Sequence, residues 1–282
     1  MAGLAIGPVT AVILRAEAFS GFRPADWQAL WFTLLQATLS AGLSVMFAIP
    51  LARALARRQF IGRGLLVALL GAPFILPVIV AVLGLLAVFG QSGLINRLLA
   101  SFGAPEVQIY GLHGVLLAHV FFNLPLATRL ILQGWLAIPT EQFRLAATLG
   151  MGRCAMWRAI ELPMLRRIVP GAFAVIFVIC LSSFAVALTL GGGPRATTLE
   201  LAIYQSMRFD FDLARAAALG LLQLGLALTA GVIALRMTQV PVASRGLDRH
   251  VPRWDRTDPG AICTDVLWIS LAALFLLTPP AM

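Results

Sequence analysis

Six stretches of the chain are continuously apolar over a spanning length: residues 29–51, 64–90, 113–135, 168–190, 213–235 and 262–279. A membrane helix needs roughly 17–25 such residues, because each adds about 1.5 Å of rise across a hydrocarbon core of about 30 Å. The runs do not alternate apolar with polar, as the strands of a lipid-embedded barrel would. A backbone surrounded by hydrocarbon must satisfy its own amides, so these stretches predict helices. The second and fourth hold no charged residue, the third holds Arg129, the fifth Arg215 and the sixth Asp265. The predicted fold class is all-α, a polytopic transmembrane helical bundle.

The polar positions between the runs carry an orientation signal. The loop after the first run holds Arg53, Arg57, Arg58 and Arg63. Segment 136–167 holds Arg144, Arg153, Arg158, Arg166 and Arg167, and segment 236–261 holds Arg236, Arg245, Arg249, Arg253 and Arg256. The intervening segments hold only Arg23, Arg97, Arg195 and Arg208. Rich and poor loops alternate, which predicts that the rich ones face the cytoplasm. The apolar stretch before residue 15 is too short to span and lacks a basic signal-peptide head; it reads as the tail of a first helix emerging outside. Both ends read as parts of a longer design. The Arg-, Asp- and Pro-bearing stretch 237–261 reads as a cytoplasmic linker.

Composition narrows the function. Of 282 residues, 60% are hydrophobic and 12% charged, with a mean hydropathy of +0.92. A soluble domain carries about 25% charged residues. A soluble enzyme, a disordered chain and a nucleic-acid-binding domain are thereby excluded. The net charge of +9 rests on 21 basic residues, all Arg, clustered between apolar runs as topology requires. Cys154, Cys180 and Cys263 lie far apart and form no CxxC pair, and His113 and His119 lack a third ligand, so no metal site is expected. No catalytic set and no Walker A sequence are present, so neither catalysis, nor ATP hydrolysis by this chain, nor a cofactor is expected.

Segment 136–167, LAIPTEQFRLAATLGMGRCAMWRAIELPMLRR, carries the most information. Pro139 and Thr140 before Glu141 suit a helix start. A short helix over 141–149 places Phe143, Ala146 and Ala147 on one side. Gly150 and Gly152 permit a sharp turn, and a second short helix runs to Glu161, with Pro163 marking its end. Two short helices around a glycine turn form either a knob suited to a partner's groove or an ordinary interfacial loop.

The spacing from Gly150 to Ile160-Glu161-Leu162-Pro163 resembles the EAA loop of ABC-importer permeases, E-A-A-x3-G-x9-I-x-L-P. Ala146, Gly150, Ile160, Leu162 and Pro163 match. Arg144 stands where the family has an acidic residue and Leu145 where it has its first alanine, so Arg144 would meet the ATPase differently. Stretches 111–133 and 182–223 resemble, more narrowly, the thiamine-transporter permeases of bacterial importers, from about residue 28 to the end. The resemblance implies half of a type I importer permease: an incomplete first helix (1–28), an ABC type 1 transmembrane domain (29–236), a linker (237–261) and the start of a second, truncated membrane half (262–282). It implies ABC ATPase subunits on the 136–167 loop, a periplasmic substrate-binding protein outside, membrane lipid and a second permease half as partners. The setting would be the bacterial inner membrane. The implied cargo is thiamine or its phosphate esters, with ferric iron or a small anion as the alternative. A free-standing secondary transporter is a further alternative, disfavoured by the scarcity of charge in the spans.

Other residues admit two readings. Glycines 191–193 before Pro194 form an external turn or a contact for the binding protein. Asn123 and Pro125 form a packing kink or a gate on the substrate path, as do Pro73 and Pro77. Ser182 and Ser183 serve helix packing or face a cavity. Arg129 snorkels toward headgroups or lines a pore.

Overall fold

The computed structural model describes residues 21–71, 76–193, 196–238 and 259–279, together with residues 10, 12, 13 and 16. Most of the short N-terminal apolar stretch, Pro73, Pro194 and most of the linker lie outside the described residues. Among those described, every regular element is a helix, and six helical segments are long and apolar enough to cross a membrane.

Helix α1, Pro24–Arg57, is the axis of the bundle. Pro24 sits at its first turn, where a missing N–H costs nothing, and Asp26 accepts a hydrogen bond from the Arg23 amide at 2.8 Å. Its 34 residues extend about 51 Å, well beyond the hydrocarbon. Ala37, Ala41, Ala48 and Ala52 are fully buried along one side. Lipid offers apolar groups as good an environment as protein does, so association rests on close contact, and small residues permit it. Those alanines let α1 approach α5 (Leu112–Ala137) and α8 (Leu162–Leu181). Helix α11 (Leu213–Met237) packs on α8, and α12 (Pro259–Leu277) packs on α1.

Two expected spans are interrupted. The run 64–90 divides into α2 (Arg63–Leu69) and α3 (Val78–Phe89). Pro77 stands immediately before α3, and its ring and missing N–H prevent a continuous helix there. The 12 residues of α3 rise only about 18 Å; spanning length comes from continuing through a turn at Gly90–Gly93 into α4 (Leu94–Ser101). The run 168–190 breaks at Ser182 and Ser183, which leave helical geometry between α8 and α9 (Phe184–Leu190). The lost length is recovered at the other end, where an unbroken helical segment begins at Arg153.

Ion pairs tie α1 to its neighbours at both ends. At one end Asp26 holds Arg215 of α11 at 2.6 Å, and Asp210 joins the same guanidinium at 3.1 Å. At the Arg-rich end Asp265 of α12 bridges Arg57 and Arg58, each at 2.7 Å. Arg215 and Asp265 thus lie near helix ends, each held in an ion pair. Arg129 lies beside Gly71, two residues past the end of α2.

Candidate functional site

The loop 138–162 begins with α6 (Thr140–Thr148), capped by Pro139 and carrying Glu141 in its first turn. A carboxylate there complements the positive end of the helix dipole. The helix ends in a two-bond lock. The Gly150 amide donates to Ala147 O at 3.1 Å and the Met151 amide to Ala146 O at 3.0 Å. This lock requires left-handed backbone at the residue between, and Gly150 has φ +61°. Open space surrounds that position, so the backbone angle alone selects glycine. Gly152 starts α7 (Arg153–Met156) with an ordinary extended φ of −68°.

The second arm does not stop at Pro163, contrary to the sequence expectation. Residues Trp157–Glu161 form a π turn in which the Leu162 amide reaches Trp157 O, and the chain passes directly into α8. A π turn inserts one extra residue into the helical ladder. It shifts the carbonyls just where Pro163 has no N–H to offer, so proline sits at the first turn of α8 without a lost bond. The second arm of the loop is therefore continuous with a spanning helix.

The motif positions divide by exposure. Phe143 and Ala146 are buried, whereas Ala147, expected beside them, is exposed. Arg144, Leu145, Leu149, Gly150 and Pro163 are exposed, with Leu145 at 60% and Leu149 at 67%. Ile160 and Leu162 are half-buried. Two leucines four residues apart on the free face of a charged helix form an apolar spot that another chain could cover. A cleft of ≈ 310 Å³ between the end of α5 and this arm is lined by Pro139, Gln142, Ile160, Pro163 and Arg167.

The sequence reading missed how the loop is fastened. Arg53 of α1 lies 2.8 Å from Glu161, which is fully buried in the π turn, and the same guanidinium covers the Trp157 ring at 5.0 Å. The partners lie more than a hundred residues apart, so no local pattern links them. A carboxylate inside an otherwise apolar I-E-L-P run was the available signal.

A second polar locus lies within the bundle. Thr33, Gln36, Ser40 and Ser44 are all fully buried on α1. Their spacing of three and four places them on one helix face. Gln36 donates to Cys180 O at 2.8 Å, Ser40 bonds His119 Nδ1 at 2.9 Å, and His119 Nε2 bonds the Ser183 hydroxyl. Asn123 donates to His119 O at 2.9 Å and to Cys180 Sγ at 3.3 Å, while its Oδ1 has no partner. His119, Asn123, Ser182 and Ser183 line a cavity of ≈ 240 Å³ at the α8–α9 break. The structure thus brings Asn123, Ser182 and Ser183 together around one cavity. Pro125 is buried within an uninterrupted α5 and does not line the cavity. Gln36 and Ser40 were not singled out, although the polar stripe of α1 is visible in the sequence at helical spacing, and His119 was weighed only as a metal ligand.

Above the break lies α10 (Leu199–Arg208), whose Glu200 accepts hydrogen bonds from the Ser183 and Phe184 amides. Burial pushes the Glu200 carboxyl above its ordinary pKa, and those two bonds pull it partly back. Gly192 and Gly193, at φ +72° and +128°, line a separate cleft of ≈ 460 Å³ with Gln28, Gln205 and Arg215.

A polytopic helical membrane protein with a short helical loop, continuous with a spanning helix, at its Arg-rich end is the class these observations define. The fold is that of membrane-embedded ABC transporter chains. A chain of a bacterial alginate ABC transporter, solved in complex with an alginate pentasaccharide-bound periplasmic protein, superposes with a TM-score of 0.61 at 18% identity, covering 82% of this chain and 86% of that one. In sequence, the chain is 48% identical over 260 residues to the thiamine transport system permease protein ThiP of Brucella abortus (strain 2308), covering 90% of this chain and 48% of the relative. It is 47% identical over 266 residues to the ThiP of Escherichia coli (strain K12), covering 90% and 49%. The sulfate transport system permease protein CysW of Synechococcus elongatus is 31% identical over 141 residues, 49% of this chain and 48% of that one. No family model matches. The chain spans about half the length of the thiamine permeases it matches.

Proposed function

We propose that this chain is a permease subunit of a bacterial ABC importer that carries thiamine or thiamine phosphates across the inner membrane. The observation that carries the reading is the 47–48% identity to thiamine transport permeases over 90% of the chain. The lever at 138–162 supports it, because an importer permease needs a rigid element through which an ATPase can act. Residues 29–236 are the type 1 transmembrane domain, 237–261 a linker, and 262–282 the start of a second membrane half. The Arg-rich end faces the cytoplasm. ATPase subunits dock on the face bearing Arg144, Leu145, Leu149 and Gly150, with Ala146 packing behind it. Ile160, Leu162 and Pro163 join that face to α8. A periplasmic binding protein delivers cargo at the other end, over α10 and the Gly192–Gly193 turn.

In this mechanism ATP hydrolysis occurs on the partner. Closure of the ATPases displaces α6 and α7, and the π turn passes the displacement directly into α8. The Arg53–Glu161 pair passes it into α1. The cavity lined by Asn123, Ser182 and Ser183 lies where α8 ends, so it is the part of the path that such a movement alters. A sulfate permease is also a relative, but over only half of the chain, so a small-anion cargo has the weaker support.

The test is uptake of radiolabelled thiamine by a transport-deficient bacterium expressing the chain with its neighbouring ATPase, binding-protein and permease partners. Uptake that needs both the ATPase and the binding protein is expected. Undiminished uptake without the ATPase, or sulfate or ferric uptake in place of thiamine, would refute the assignment.

A further inference from the structure

Glu200 occupies a position that the lever mechanism does not use. Its carboxylate reaches from α10 to the amides of Ser183 and Phe184, the two residues that start α9 and line the ≈ 240 Å³ cavity. One turn along α10, on the same face, the Tyr204 ring lies 5.3 Å from the Phe184 ring, and Phe209 stands edge-on to Tyr204 at 6.1 Å. Tyr204 and Phe209 are 37% and 68% exposed. A half-buried carboxylate beside a run of accessible aromatic rings provides a counter-charge and π faces together, which is how proteins hold organic cations. Below it, Asn123, 2% exposed, keeps a carbonyl oxygen without a partner beside the same cavity. A buried unpaired acceptor is costly and is relieved by a ligand that brings a donor.

We propose that Glu200, Phe184 and Tyr204 form a recognition site for a flat organic cation at the mouth of the α8–α9 cavity, with Asn123 Oδ1 accepting from an amino group on the cargo's second ring. This rests on the reading of the chain as a thiamine permease, since thiamine joins a permanently positive thiazolium to an aminopyrimidine. Glu200 also stands in the first turn of α10, where the helix dipole favours a carboxylate, so removing its charge while keeping the amide bonds is what distinguishes cation binding from capping. A cation settling against the carboxylate also offsets the burial that now disfavours its ionised form.

The experiment uses the permease with its ATPase subunits in nanodiscs and without binding protein, so that binding to the membrane site alone is counted. Radiolabelled thiamine is titrated against the wild type, Glu200→Gln, Tyr204→Leu and Tyr204→Phe, beside the uncharged thiophene analogue. Gln keeps an oxygen for the Ser183 and Phe184 amides, so the melting midpoint stays near that of the wild type while the charge is removed. Expected is an affinity loss of about tenfold or more for thiamine in Glu200→Gln and Tyr204→Leu, with most of it recovered in Tyr204→Phe. The uncharged analogue should bind weakly to the wild type and be indifferent to Glu200→Gln. Equal thiamine affinity in the wild type and Glu200→Gln, an equal loss for the uncharged analogue, or no wild-type binding at millimolar thiamine each overturns the site. Uptake by the complete transporter, measured in parallel, separates the two ideas. Wild-type uptake with an unchanged Glu200→Gln removes only the site, whereas absent uptake removes the thiamine assignment.

Discussion

At the scale of the residue, two positions show how different kinds of constraint fix a side chain. Gly150 is surrounded by open space, so what selects it is its φ of +61°. Gly150→Val is expected to cost about 1–2 kcal/mol in the closing turn of α6 and to tilt the Leu145–Leu149 face. The amount of ATPase co-purifying with the permease should fall; unchanged recovery would show that the turn does not position the docking face. Asp26 and Arg215 are held by charge. Asp26 is 1% exposed and lies 2.6 Å from a guanidinium that also holds Asp210. Asp26→Leu should destabilise by about 3 kcal/mol, since removing one partner of a buried pair leaves the other charge uncompensated. Adding Arg215→Met should return part of that loss, and melting of the detergent-solubilised protein would record both. Gly150 was legible in the sequence because its role is local. Of the salt bridge, only Arg215 stood out, as a charge within an apolar run, since its pairing with Asp26 depends on how α1 and α11 meet.

At the scale of the element, hydrophobic length located each of the six spanning segments among the described residues but not the breaks within them. Ser182–Ser183 and Pro77 interrupt runs that are seamless in apolar content, because hydropathy registers side chains and ignores backbone geometry. Pro163 misled in the opposite sense. Proline ordinarily ends a helix, yet the π turn just before it accommodates the missing N–H and α8 continues. Helix contacts follow the same distinction between side chain and backbone. A Cβ on Gly171 of α8 would stand 2.9 Å from Thr238 Cα and 3.0 Å from Met237 O, both backbone atoms. On Gly134 of α5 a Cβ would meet only side-chain ends, Ile168 Cδ1 and, at 2.8 Å, Met164 Sδ. Gly171→Ala should therefore push α11 away from α8 and cost about 1–3 kcal/mol, while Gly134→Ala should cost less because those side chains can rotate. Equal shifts in melting midpoint for the two variants would contradict this account of the α8–α11 crossing.

At the scale of the whole molecule, α1 is fixed at three places: to α11 through Asp26, to the π turn through Arg53, and to α12 through Arg57 and Arg58. The class of fold was legible because a bilayer allows so few solutions. The network that makes one body of the bundle was not, since it joins residues far apart in the chain. Under the proposed coupling to an ATPase, Arg53–Glu161 is the link of the three that would carry movement, because it connects the loop to a helix that the loop does not continue into. Replacing one partner would strand a buried charge and confuse instability with loss of coupling. The informative variant is the double change Arg53→Met with Glu161→Leu, which removes both charges and keeps apolar volume. It should fold and bind the ATPase, which should hydrolyse ATP at the ordinary rate, while ATP-driven uptake falls by about tenfold or more, corresponding to about 1.4 kcal/mol of lost coupling. If uptake per ATP hydrolysed were unchanged, α1 would be a passive support, and the displacement would travel through the π turn into α8 alone.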